Sequence, residues 1–189
     1  MAQSCAATIA YYTVVDDERT GWTGGLLLLN SGGRPLEFQC TLPVRPTRAH
    51  EILFGPTLRD YLIGDVMAPL LVGKCRAKAS LLCCDQPEAL RIRSSVPFPV
   101  GLLVEAAEYE EGPITDETLV NSTAIPLAGA TLRVDAEQEE AVREIVGKLA
   151  DFLVLSGDPL TRITDSLRIE AVVKGGVWHD RQELMTTPR

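Results

Sequence analysis

The chain predicts an α/β fold with a mixed sheet: a three-stranded antiparallel meander followed by alternating helices and strands. Three observations carry this. A continuous apolar run, Gly25–Leu29, meets the turn residues Asn30-Ser31-Gly32-Gly33, where two glycines can take positive φ. The next segment, Leu36–Leu42, sets Leu36, Phe38, Cys40 and Leu42 against Glu37, Gln39 and Thr41, a period of two that suits a strand with one drier face. Further on, short apolar runs alternate with stretches of helical spacing, the pattern of strands with helices between them.

Each element has its own signal. Thr8–Val15 is apolar and β-rich and reads as the first strand. Gly25–Leu29 has no polar alternation, so this strand is expected to be covered on both faces. Pro43 and Pro46 stop the sheet, and Thr47 is placed to cap a short helix through Phe54. After Gly55-Pro56-Thr57 the residues Leu58, Tyr61, Leu62, Val66, Leu70 and Leu71 keep helical spacing to about Lys78, with Pro69 bending the helix or restarting it. Ser80–Cys84 is a short apolar strand, Gln86–Arg93 a helical turn, and Pro97–Glu105 another strand with prolines at its start. Glu108–Ala130 is rich in Gly, Pro and Thr and reads as a long loop with one strand near Thr118–Ile125. Thr131–Val134 is a short strand. Asp135 caps an amphipathic helix whose stripe is Val142, Ile145, Val146, Leu149 and Leu153, ending at Gly157. Asp158-Pro159 opens a last helix through Leu160, Ile163, Leu167 and Ala171. One domain accommodates residues 1–176, with an acidic insertion at about 106–134, and 177–189 reads as a flexible tail.

Composition narrows the function classes. Of the 189 residues 46% are apolar, enough for an ordinary core. The net charge of −8 disfavours non-specific binding to polyphosphate. Aromatics are 5%, which leaves little material for base-stacking platforms. The apolar runs fall short of a membrane span, and the start of the chain has no basic and apolar leader pattern. Five scattered cysteines, Cys5, Cys40, Cys75, Cys83 and Cys84, suit free thiols in a reducing cytoplasm better than a disulfide framework. Their spacing to His50 and His179 matches no structural zinc pattern.

Three stretches bear on chemistry. Thr47-Arg48-Ala49-His50-Glu51, Leu82-Cys83-Cys84-Asp85 with Ala89-Leu90, and Thr164-Asp165-Ser166-Leu167, taken with the order of elements, resemble the ribonuclease-H-like superfamily. The resemblance implies that Glu51 on the first helix, Asp85 at the end of the fourth strand and Asp165 on the last helix hold Mg or Mn ions for phosphodiester cleavage. Clustered carboxylates suit that work, because two ions about 4 Å apart activate a water and steady the leaving oxygen. The sequence departs from the pattern in its first strand, where the superfamily carries an aspartate. Here the strand centre is Tyr11-Tyr12-Thr13, and Asp16 and Asp17 lie at its end.

Charge is unevenly spread. Residues 45–93 carry eight Lys or Arg against five Asp or Glu, whereas 105–144 carry eleven acidic residues and two basic ones. Such polarity suits docking to a partner. With the first-strand carboxylate missing, the leading expectation is a cytoplasmic, non-catalytic interaction or regulatory protein without a cofactor. It would act through a protein partner or self-association, with Arg34, Arg45, Arg48 and His50 as contact residues and nucleic acid disfavoured. The second reading is the metal-dependent phosphodiesterase that the resemblance implies, with Glu51, Asp85 and Asp165 as its site.

Overall fold

A computed structural model of the chain describes residues 7–105, 121–127, 130–148, 151–155, 169–174 and 177–180. The meander is present: β1 (Thr8–Asp17), β2 (Gly21–Asn30) and β3 (Pro35–Cys40) pair antiparallel in turn. Asn30 closes the second turn, its Oδ1 accepting from the backbone N–H of Gly32 and Arg34, while Gly33 takes a φ of 71°. Then come α1 (Arg48–Phe54), a π-helix (Asp60–Met67), α2 (Ala68–Lys74), β4 (Leu81–Cys84), a 3₁₀ run (Pro87–Ser95) and β5 (Val100–Glu105). β6 (Ser122–Leu127), β7 (Ala130–Asp135) and α3 (Glu139–Lys148) follow.

The main sheet has seven strands in the order β3-β2-β1-β4-β5-β7-β6. β1, β4 and β5 are mutually parallel, and β7 runs antiparallel to β5. A meander whose first strand lies beside two parallel strands is the ribonuclease-H-like arrangement, so the α/β expectation holds.

One face of the sheet packs Ala10, Tyr12, Val14, Leu26, Leu28, Leu82, Cys84, Val100 and Leu102 against Ile63, Met67, Leu71, Leu90 and Ile92. The other packs Leu81, Cys83, Ile125, Leu132 and Val134 against Val142 of α3. In β2, Leu26 and Leu28 are buried, whereas Leu27 and Leu29 are only half-buried. The expected double covering is therefore complete on one face and partial on the other.

The long helix between β3 and β4 is not regular. Its first half is a π-helix in which Ala68 N–H bonds the carbonyl of Ile63. That carbonyl also accepts from the Tyr12 hydroxyl at 2.8 Å, tying the helix to the centre of β1. Pro69, which has no N–H to give, stands in the first turn of α2, where π winding changes to α.

Past residue 148 the helical expectation is corrected. β8 (Asp151–Leu155), β9 (Ile169–Lys174) and β10 (Val177–Asp180) form a separate three-stranded sheet in the order β10-β9-β8. Phe152, Leu153, Val154, Val172 and Val173 form these strands by pairing across the sheet, and β-branched and aromatic content outweighed the helical spacing read from Val142 to Leu153. Val177–Asp180, read as tail, pairs with β9. The loop segment 106–120, the proposed helix start at 158–160 and Asp165 lie outside the described residues.

Candidate functional site

β1 and β4 run parallel as neighbours, yet β1 connects to β2 on one side while β4 connects to β5 on the other. The sheet therefore has a topological switch point between them, and a crevice beyond the carboxyl ends of such strands is where open α/β sheets bind ligands. Asp85 directly follows β4 at that point.

The chain holds Asp85 there by strand register. Tyr11 lies beside Cys83 and Tyr12 beside Cys84, so period-two alternation turns Tyr11, Thr13 and Asp85 to the same face. Asp85 Oδ2 accepts from Thr13 Oγ1 at 2.7 Å and from the Tyr11 hydroxyl at 3.1 Å. Its Oδ1 has no hydrogen-bond partner among the described residues. The following side chain extends the strand pairing: Gln86 Oε1 accepts from Val14 N–H at 3.1 Å, and its Nε2 donates to the Val14 carbonyl at 2.8 Å. Asp85 is thus an exposed carboxylate on a rigid base, with one oxygen fixed. Burial first, and then the adjacent Asp85 charge, push the Tyr11 phenol well above its ordinary range. Tyr11 consequently remains a donor to the carboxylate.

The other predicted residues are placed differently. Thr47 caps α1 and accepts from His50 N–H, while His50 Nδ1 accepts from Thr47 N–H at 3.2 Å, a capping box with histidine in the third position. Glu51 is exposed on α1, and no hydrogen bond or ion pair joins it to Asp85 among the described residues. Those residues contain no group of three His, Cys, Asp or Glu able to hold a metal ion. Asp16 pairs with Trp22 across β1 and β2, and Asp17 closes their turn by accepting from Arg19 and Thr20. Neither replaces the absent first-strand carboxylate. Arg45 stands near Trp22, since Val44 bridges to Trp22 and Arg45 Nε donates to the Thr20 carbonyl, and Arg48 opens α1 three residues on. Arg34 lies in the β2–β3 turn, at the opposite end of the sheet, so the four expected contact residues do not form one patch.

Sequence reasoning missed the two hydroxyls. The signal was present as Tyr-x-Thr in the first strand: both residues share a face, and both can donate to a carboxylate at the end of a parallel neighbour. It also missed the aromatic pairs at this end. Phe54 and Tyr61 stack with centroids 4.0 Å apart, and the Arg59 guanidinium lies 5.2 Å from the Trp22 ring centre.

No family model and no curated protein matches the chain. Among solved structures, it is similar to human ENDOV at 11% identity and a TM-score of 0.39, covering 78% of this chain and 77% of that one. It is also similar to Ciona intestinalis endonuclease V in complex with a 23mer DNA containing an inosine followed by a ribo-adenosine, at 12% identity and a TM-score of 0.36, covering 90% of this chain and 66% of that one. The likeness is distant. One of these solved structures, an endonuclease V, is in complex with DNA, and the expectation of a non-catalytic, partner-binding protein that avoids nucleic acid is not carried further. That expectation had weighed the missing carboxylate and the net charge. Neither is decisive, because net charge does not report the local field at a site.

Proposed function

We propose that the chain is a metal-dependent phosphodiesterase acting on nucleic acid, centred on Asp85. The supporting observation is the position of that carboxylate, at the carboxyl end of β4, beside β1, at the switch point of a ribonuclease-H-like sheet. Glu51 and Asp165 are the further ligands that the family resemblance implies.

As an anionic oxygen donor, Asp85 suits Mg or Mn. Among the described residues no three His, Cys, Asp or Glu stand together as a metal-holding set, so Asp85 is the residue there that suits the ion. The bound metal would stabilise charge on the phosphate. The chain's own groups do the rest. Thr13 and Tyr11 hold Oδ2, so the carboxylate keeps one orientation. Oδ1 is left to accept a hydrogen bond from the water that attacks phosphorus as the bond to the leaving oxygen breaks. Gln86 locks the end of β1, so that Thr13 does not drift.

The test offers single-stranded, duplex and hybrid nucleic acid, including an inosine-bearing strand, with Mg²⁺ or Mn²⁺. Wild type is expected to cleave at least one of them in a metal-dependent way, and Asp85→Asn to lose that cleavage. Absence of cleavage on every substrate, or equal cleavage by Asp85→Asn, overturns the proposal.

A further inference from the structure

A glycine interrupts β2 on the face that carries Asp85. Thr13, which holds Asp85 Oδ2, pairs with Gly25, and Gly25 pairs with Cys40. Asp85, Thr13, Gly25 and Cys40 thus form one row from the end of β4 to β3, all on one face, and the strand spacing puts Gly25 roughly 10 Å from Asp85. The fold does not ask for glycine here. Gly25 is not among the residues with positive φ, and an added Cβ would meet only the Phe38 ring, at 3.7 and 3.9 Å, ordinary contact. Gly24 and Gly101 differ, because a Cβ there would crowd Leu71 at 3.2 Å or Leu132 at 2.6 Å. A glycine inside a strand weakens it and often marks a place where a ligand comes close to the backbone. The neighbouring row supplies a wall. Phe38 pairs with Leu27, on the same face as Gly25. Glu37 turns the other way and accepts from the N–H groups of Arg76 and Ala77, so β3 presents its ring outward. Phe38 is 59% exposed, and no other ring among the described residues stacks on it. Val15, 55% exposed, borders the row on its other side.

We infer that the slot over Gly25, walled by the Phe38 ring, takes one unpaired nucleobase of the strand whose phosphate lies at Asp85. A base is flat, so it fits over a residue without a side chain. Its π-face lies against an exposed aromatic ring whatever the base, which makes such stacking tolerant of sequence. The Phe38 ring carries no donor or acceptor, so the slot holds a base without reading it. The span between Asp85 and Gly25 leaves room for a phosphate and its sugar. A paired base stays inside its duplex and offers no face to the ring. The inference rests on the phosphodiesterase reading for the phosphate at Asp85, and its test is independent of cleavage.

Binding of a labelled single-stranded 12-mer is measured by fluorescence anisotropy in Ca²⁺, with a denaturing gel to confirm that the strand stays intact. Phe38→Leu is expected to weaken binding by about tenfold, the scale of one lost stacked base, and Phe38→Trp to keep it. Gly25→Val fills the slot with a residue that strands favour. It is expected to weaken binding by about tenfold or more while its urea midpoint holds or rises. Leu70→Ala, at an exposed position of α2 on the opposite face, is expected to bind as wild type. Unchanged binding in Gly25→Val or Phe38→Leu, equal weakening by Leu70→Ala, or a duplex bound as tightly as the single strand would each overturn the inference. So would a urea midpoint of Gly25→Val that falls with its binding, since the fold would then need the glycine. Cleavage that depends on Asp85 while these variants bind as wild type would sink the slot and keep the phosphodiesterase. Weakened binding in the variants of a protein that cleaves nothing would keep the slot and sink the phosphodiesterase.

Discussion

At Asp85 the chemistry depends on two hydroxyls that belong to another strand. A carboxylate on a flexible side chain samples several rotamers, and fixing one oxygen by two donors removes most of that freedom. Thr13→Val keeps the β-branched shape of the strand but removes the 2.7 Å bond. The group is exposed, so stability should fall by about 1 kcal/mol or less. Cleavage should fall by about tenfold to a hundredfold, the scale of a misplaced reacting group. A melting curve beside a rate measurement separates the two effects, and a proportionate loss of both would contradict the positioning role. The buried titratable groups make a second prediction. Burial pushes Cys83 up to about 12 from its ordinary 9.0, and raises Cys84 and Tyr12 as well. All three are neutral in the fold and ionise more readily once unfolded. Their contribution to stability is whole below about pH 9 and is lost as pH climbs through the folded values. Denaturant midpoints should hold from pH 7 to about 8.5 and fall steadily above 9. A flat profile to pH 11 would mean that these groups are not buried in solution.

Among the elements, the π-helix is held by close approach rather than by propensity. A Cβ added at Gly64 would meet the Glu88 carbonyl oxygen and come within 2.9 Å of Arg91 Cβ, so the π-helix and the 3₁₀ run meet backbone to backbone at this point. Two ion pairs, Arg59 with Glu88 and Arg91 with Asp65, span the same contact. In an open helix Gly→Ala stabilises by about 1 kcal/mol. Gly64→Ala should instead destabilise by about 1–3 kcal/mol, as overpacking does, and urea unfolding would show the sign. β2 provides a sharper test. Leu28 is 1% exposed and faces the helices. Leu28→Asp would bury an unpaired charge and cost several kcal/mol, so a soluble, cooperatively folding variant would refute its placement.

For the molecule as a whole, burial sorts the thiols. Cys40 is exposed on the edge strand, Cys75 is intermediate, and Cys83 and Cys84 are buried. Among these four, a thiol reagent should label Cys40 first under native conditions and reach Cys83 and Cys84 only on unfolding. Mass mapping of the labelled peptides would check the order, and early labelling of Cys83 would place β4 at a surface. No helix among the described residues is long and apolar enough to cross a membrane.

Local rules read the first two thirds of this chain well. Leu26–Leu29, the Asn30–Gly33 turn and the Leu36–Leu42 alternation sufficed for the meander, because period and turn chemistry act between near neighbours. The Thr47 cap and the Asp85 strand end were legible for the same reason. After residue 148 those rules failed, since the apolar stretch around Phe152–Val154 serves a helix or a strand equally until a partner is present, and β9 is that partner. The candidate site divides along the same line. Asp85 could be picked out as an acidic residue following an apolar strand. That Tyr11 and Thr13 grip it across 72 to 74 residues of chain, and that Arg59 lies over Trp22 while Phe54 stacks on Tyr61, are facts of the tertiary structure. They follow from the order of strands in the sheet, which no local spacing encodes.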